Sequence, residues 1–187
     1  MQPSARVPES TAARLPLYLR VLDDLGGVDS ISSDELAQAC GVTSAQLRKD
    51  LSVLGSLGTR GVGYDVRGLR SALTAELGMQ HDWPVVIVGG GNLGLALANY
   101  AGFSTRGFRV VGLVDADPLR IGEPVADGLV IQPMADLSRI VARTHCVIGV
   151  IATPGELAQA VTDELVQAGV TGILNFSPVV LSVPESV

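Results

Sequence analysis

This sequence predicts an α/β chain in two parts, a winged helix-turn-helix domain over residues 1–80 and a Rossmann-like parallel-sheet domain over residues 81–187. Three observations carry that prediction. Ser44 to Asp65, SAQLRKDLSVLGSLGTRGVGYD, joins a short basic helix to a glycine-broken hairpin with an arginine at its tip. Helix and hairpin together grip adjacent grooves of DNA. Val85 to Val88 is an apolar strand that runs into Gly89-Gly90-Gly91-Asn92-Leu93-Gly94, the loop that cradles a dinucleotide. Charge is also divided unevenly. Ser44 to Arg70 holds five cations against two carboxylates, whereas His81 to Val187 holds five arginines against ten carboxylates. The net charge of -6 therefore does not argue against nucleic acid, because the negative excess lies in the second half.

Taken in order, a first helix is expected from Ala12 or Pro16 to Leu25, with Leu15, Leu19, Leu22 and Leu25 on one face and Gly26-Gly27 ending it. Ser32 or Ser33 caps the next, which places Glu35 in its first turn and stops at Gly41. A short turn leads to a third helix from Ser44 to about Leu54, the helix-turn-helix arrangement. Its Leu47, Leu51 and Leu54 pack inward, leaving Ser44, Gln46, Arg48, Lys49 and Ser52 to meet the major groove. Leu57 to Val66 is the wing, with Thr59, Arg60 and Gly61 at its tip. A helix from Val66 or Arg67 to Leu77 closes the domain, and Gly78 to Pro84 is the linker.

Strands are then expected at Val85 to Val88, Arg109 to Val114, Leu129 to Ile131, Val147 to Ile151 and Gly172 to Asn175. Helices fall between them, at Asn92 to Tyr100, Met134 to Arg143 and Gly155 to Ala168. This alternation builds a parallel sheet.

Gly89, Gly91 and Gly94 form GxGxxG in its proper setting of strand, turn and helix. Gly89 makes the tight turn, Gly91 lets the backbone approach the pyrophosphate, and Gly94 lets helix pack on sheet. Asn92 and Leu93 open the helix with free N–H groups toward the phosphates. Asp115, ending the strand VVGLV, is placed to accept the adenosine ribose hydroxyls, which favours NAD over NADP. Arg120 nearby leaves NADP open as an alternative. Thr153 and Pro154 follow another strand at the sheet edge where nicotinamide would rest, and Thr153 alternatively caps the following helix.

At 47% hydrophobic residues the chain has ample material for buried cores. No apolar run reaches the ~20 residues of a membrane helix and the N-terminus lacks a signal-peptide core, so a cytoplasmic protein is expected. Cys40 and Cys146 lack metal-ligand or CxxC spacing and read as small buried side chains, with no metal expected. His81 and His145 have no evident carboxylate partner. With no catalytic group and no substrate module in view, the cofactor is expected to act as a signal, not as a reagent. A small NAD(P)-dependent oxidoreductase and a CoA-binding module stay as alternatives.

The runs RKDLS, GTRGVGYDV, VVIVGGGNLG, ANYAGF and ILNFSP together make the chain resemble the Rex family of redox-sensing transcriptional repressors along nearly its whole length. The resemblance implies a homodimer that binds palindromic operators of respiratory and fermentative genes and releases them when NADH rises. NADH and NAD+ then compete for one pocket. It further implies DNA contacts at Arg48, Lys49 and Arg60, and a cofactor shell of Gly89 to Gly94 and Asp115. Tyr100 would lie by the nicotinamide and join a redox-dependent network with Arg20. Family members continue beyond the position of Val187 into a helix that swaps between subunits and is not found in this sequence. If Val187 ends the whole molecule, the sensing pocket is expected to survive, while dimer strength and the Arg20 link to redox state are open questions.

Overall fold

The computed structural model describes residues 7–59, 61–125 and 128–187. The chain divides into two compact units, residues 1–80 and 81–187.

In the first unit a single turn, α1 (Glu9–Ala12), precedes α2 (Leu15–Asp24), whose Pro16 occupies the first turn where its missing N–H costs nothing. The helix buries Leu15, Tyr18, Leu19 and Leu22. Leu25, expected on that face, lies just beyond the helix and packs against the same core from a half-buried position. Ser32 opens α3 (Ser33–Ala39) with a full capping box, its Oγ accepting from the Glu35 N–H at 3.2 Å while its own N–H donates to the Glu35 carboxylate at 2.9 Å. Gly41, at φ +67°, turns the chain toward α4 (Ser44–Ser52), which Thr43 caps through the Gln46 N–H.

The wing has three strands where the sequence shows two. β1 (Ser30–Ile31), β2 (Gly58–Thr59) and β3 (Gly63–Asp65) form an antiparallel sheet in the order β1-β3-β2. Gly63 is obligatory there, because it adopts φ +108° and any side chain would strike the Ile31 carbonyl oxygen. Asp65 then caps α5 (Val66–Glu76) by accepting from the Gly68 N–H at 2.7 Å.

The second unit is a five-stranded parallel sheet. Its strands are β4 (Trp83–Val88), β5 (Phe108–Asp115), β6 (Ile131–Pro133), β7 (Ile148–Ile151) and β8 (Gly172–Asn175), in the order β6-β5-β4-β7-β8. Helix α6 (Asn92–Ala98) joins β4 to β5, α7 (Leu137–Thr144) joins β6 to β7 and α8 (Gly155–Gln167) joins β7 to β8, with no α-helix between β5 and β6 among the described residues. Both faces of β4 are covered, Val86 and Val88 belonging to one core and Val85 and Ile87 to another, as its unbroken apolar run requires. The third strand falls at Ile131–Pro133, two residues past its expected place, and the expected helix at Met134 starts as a 3₁₀ turn before α7. β5 and β7 flank β4 on opposite sides, so the chain reverses direction across the sheet at the C-terminal ends of β4 and β7. Ligands of such sheets bind in that crevice.

Candidate functional site

In the first unit, α4 presents Arg48, Lys49 and Ser52 to solvent, and Thr59 and Gly61 are exposed at the hairpin. Arg60 lies outside the described residues. A groove of about 700 Å³ runs between α4 and the hairpin, lined by Arg48, Ser52, Thr59 and Gly61 among others. Arg48 donates to the Ser33 hydroxyl at 3.1 Å, which holds its guanidinium near α3, and Ser52 donates to the Lys49 carbonyl at 2.6 Å. Ser44 is half-buried and donates to Asp34. Gln46 departs from its expected outward orientation: it is half-buried and its amide donates to Asp50 at 2.8 Å.

Asp50 is fully buried, and its carboxylate draws the inner side of α4 to α1 and α2. Arg14 contacts it through Nε at 2.7 Å and Nη2 at 2.9 Å, the Tyr18 hydroxyl donates at 2.7 Å and the Thr11 hydroxyl at 3.0 Å. The Arg14 hydrogen bonds, outweighing desolvation, hold the Asp50 carboxyl well below the usual carboxylate range. Burial, then the bond to Asp50, pushes the Tyr18 phenol up to about 12. By composition Asp50 counts only as a charge, although it lies three residues from Leu47 and four from Leu54, on the apolar side of this segment. That spacing is the signal that marks it as inward.

In the second unit, a cleft of about 370 Å³ opens at the topological switch point, lined among others by Gly89, Gly91, Asp115, Arg120, Thr153 and Pro154. Gly89 turns at φ +108°, with the position of a Cβ only 2.7 Å from the Ala152 carbonyl oxygen. A Cβ on Gly94 would collide with the Gly89 carbonyl, so α6 packs this closely only with glycine there. Gly91 is different: nothing lies within 4 Å of where its side chain would stand, so the protein's own packing does not demand glycine. Asp115 accepts from the Gly90 N–H at 2.5 Å and the Asp117 N–H at 2.8 Å, which fixes its carboxylate over the loop. Arg120 donates to the Gly90 carbonyl.

Thr153 has a buried hydroxyl with no hydrogen-bond partner among the described residues. It does not cap α8, whose N-cap is Pro154 without a side-chain bond. Gly94 sits beneath the loop as a packing residue, and Asn92 and Leu93 are exposed outside the cleft lining. Tyr100 also lies outside that lining, past the far end of α6, 55% exposed and edge-on to Phe103 at 6.1 Å. Arg20 is exposed on α2, and its side chain makes no hydrogen bond or ion pair among the described residues. His81 lies tilted against the Trp83 ring at a centroid distance of 5.5 Å and His145 is the left-handed C-cap of α7, and neither lines the cleft. Among the described residues there is no cluster able to hold a metal ion, and no helix is long and apolar enough to cross a membrane.

A winged helix-turn-helix followed by a Rossmann-like nucleotide fold defines a class, the ligand-responsive transcriptional regulators. Residues 6–52 match the family described as putative DNA-binding protein N-terminus, and residues 80–179 match the CoA binding domain. The redox-sensing transcriptional repressor Rex of Streptomyces griseus is 60% identical over 186 residues, covering 98% of this chain and 73% of that protein. RSP, a Rex-family repressor solved with β-NADH, superposes with a TM-score of 0.89 at 37% identity, covering 98% of this chain and 86% of that one. RSP with β-NAD+ and operator DNA superposes at 0.90 and 37% identity, covering 97% and 84%. The chain belongs to the Rex family of redox-sensing transcriptional repressors.

Proposed function

We propose that the chain is an NADH/NAD+-responsive repressor, cytoplasmic and not an enzyme, which binds palindromic operators of respiratory and fermentative genes as a homodimer and releases them when NADH rises. One observation carries this reading: a single chain holds both an exposed cationic helix face beside a glycine hairpin and a glycine-loop cleft with the Asp115 carboxylate in its lining. RSP has been solved with each of the corresponding ligands, β-NADH on one hand and β-NAD+ with operator DNA on the other.

Arg48, Lys49 and Arg60 supply the phosphate and groove contacts, supported by Ser44, Ser52, Thr59 and Gly61. Gln46 contributes through its Oε1, since its amide nitrogen is held by Asp50. On the cofactor side Gly89, Gly91 and the α6 N-terminus at Asn92 and Leu93 receive the pyrophosphate, with Gly94 supporting the loop. Asp115 receives the ribose, and Thr153 and Pro154 receive the nicotinamide end. Reduction removes the positive charge of the nicotinamide ring, so the two redox states favour different hydrogen bonds around it and bias the protein toward different conformations. Arg20 and Tyr100 are the proposed readers of that difference.

A gel shift with a family-type palindromic duplex tests the reading. The complex should persist with NAD+ and dissociate with NADH, and charge removal at Arg48, Lys49 and Arg60 should abolish it while NADH binding survives. Loss of both activities together would favour an oxidoreductase whose N-terminal helices cover substrate. Because residues 80–179 match a CoA binding domain, CoA belongs in the same experiment; displacement of NADH by CoA would favour that nucleotide instead.

A further inference from the structure

Asp50 is on the inner face of the helix whose outer face offers Arg48 and Lys49. Its two oxygens are saturated by donors from three places: Thr11 in α1, Arg14 and Tyr18 at the start of and within α2, and Gln46 one turn back in α4. Burying a carboxylate is unfavourable unless every lone pair is met. A leucine among Leu47 and Leu51 would face no such desolvation, so packing alone gives no reason for a charge at this position. What the charge adds is direction. Apolar contacts allow a helix to slide or roll by small amounts, whereas the two-pronged guanidinium contact and the phenol fix both its rotation and its height.

We infer that Asp50 is a positioning residue for operator binding, one that locks the rotation of α4 against α1 and α2 and orients Gln46, so that Arg48 and Lys49 meet the DNA in a fixed register. The inference rests on the repressor reading above. It distinguishes two effects of disturbing α4. Lost register removes base discrimination, while nonspecific attraction to phosphate, which depends on charge and not on angle, persists.

The test compares Asp50→Asn with Tyr18→Phe, a variant that deletes one donor and leaves the ring in place. Affinity for an operator duplex and for a scrambled duplex of equal length is measured by anisotropy, with circular dichroism confirming the fold at the assay temperature. Asp50→Asn should lower operator affinity on the order of tenfold or more while scrambled-duplex affinity changes less, and Tyr18→Phe should lower the ratio by about threefold. NADH affinity should match the unmodified chain in both. A merely structural role would scale both duplexes by the folded fraction and leave their ratio unchanged. If Asp50→Asn fails to fold, Tyr18→Phe decides. An unchanged ratio in the folded variants overturns the inference, whereas an unmodified chain that does not prefer the operator overturns the repressor reading and the inference with it.

Discussion

Tyr18 donates its phenolic hydrogen to Asp50 at 2.7 Å with both side chains fully buried, which ties the stability of the DNA-binding unit to two titrations at opposite ends of the pH scale. The Asp50 carboxyl titrates below its usual range in the folded chain. Its stabilising contribution is complete above the unfolded value of about 3.9 and is lost as the pH falls through the lower folded value. Tyr18, raised to about 12, contributes fully below its ordinary value near 10 and loses that contribution as the pH rises through about 12.

Thermal melts of the first unit should therefore show a plateau at neutral pH with a falling limb at each end. Tyr18→Phe should lower stability by about 1.5–3 kcal/mol at neutral pH and remove the part of the alkaline limb that comes from this phenol. A variant with unchanged stability would show that the hydroxyl is not bonded to Asp50 in solution.

Gly91 and Gly94 should separate binding from folding. Gly94→Ala forces the Gly89 carbonyl away, and should lower both thermal stability and NADH affinity. Gly91→Ala meets no protein atom within 4 Å, so it should melt like the unmodified chain and lose NADH affinity by about tenfold or more through crowding of the pyrophosphate. Calorimetry together with a melting curve checks both, and a Gly91→Ala variant with full affinity would place the pyrophosphate elsewhere.

Asp115→Ala should narrow the preference for NADH over NADPH, because in the proposed binding mode its carboxylate accepts the ribose hydroxyls and would repel a 2′-phosphate. Some NADH affinity should be lost as well, since Asp115 anchors the Gly90 N–H. Titration with each cofactor reads the ratio; an unchanged ratio would mean the carboxylate does not face the ribose.

Thr153→Val should leave the unliganded chain as stable or slightly more stable, since the hydroxyl it removes has no partner among the described residues. If the cofactor supplies that partner, NADH affinity should fall by roughly tenfold. A melting point and a titration are enough to tell this from a silent substitution.

The glycine loop was legible because its meaning is local: strand, turn and helix lie within ten residues, Val85 to Gly94, and close packing requires glycine at Gly89 and Gly94. Helix α4 was equally plain from Leu47 and Leu51. What escaped was tertiary. β1 has two residues and exists only because β3 pairs with it, so no alternation marks it in the sequence. Asp50 was hidden because a carboxylate reads as solvent-facing until its partners, more than thirty residues away, are brought to it. Gln46 turns inward with it, because its amide donates to the buried Asp50 one helical turn on.

The most direct measurement is fluorescence anisotropy of a labelled palindromic operator bound to this chain at fixed moderate salt, titrated with NADH and then with excess NAD+. The predicted result is a fall in anisotropy on adding NADH and its recovery when NAD+ displaces it. An operator complex that forms and then ignores NADH, at concentrations shown by calorimetry to saturate the cleft, would contradict a redox-sensing repressor.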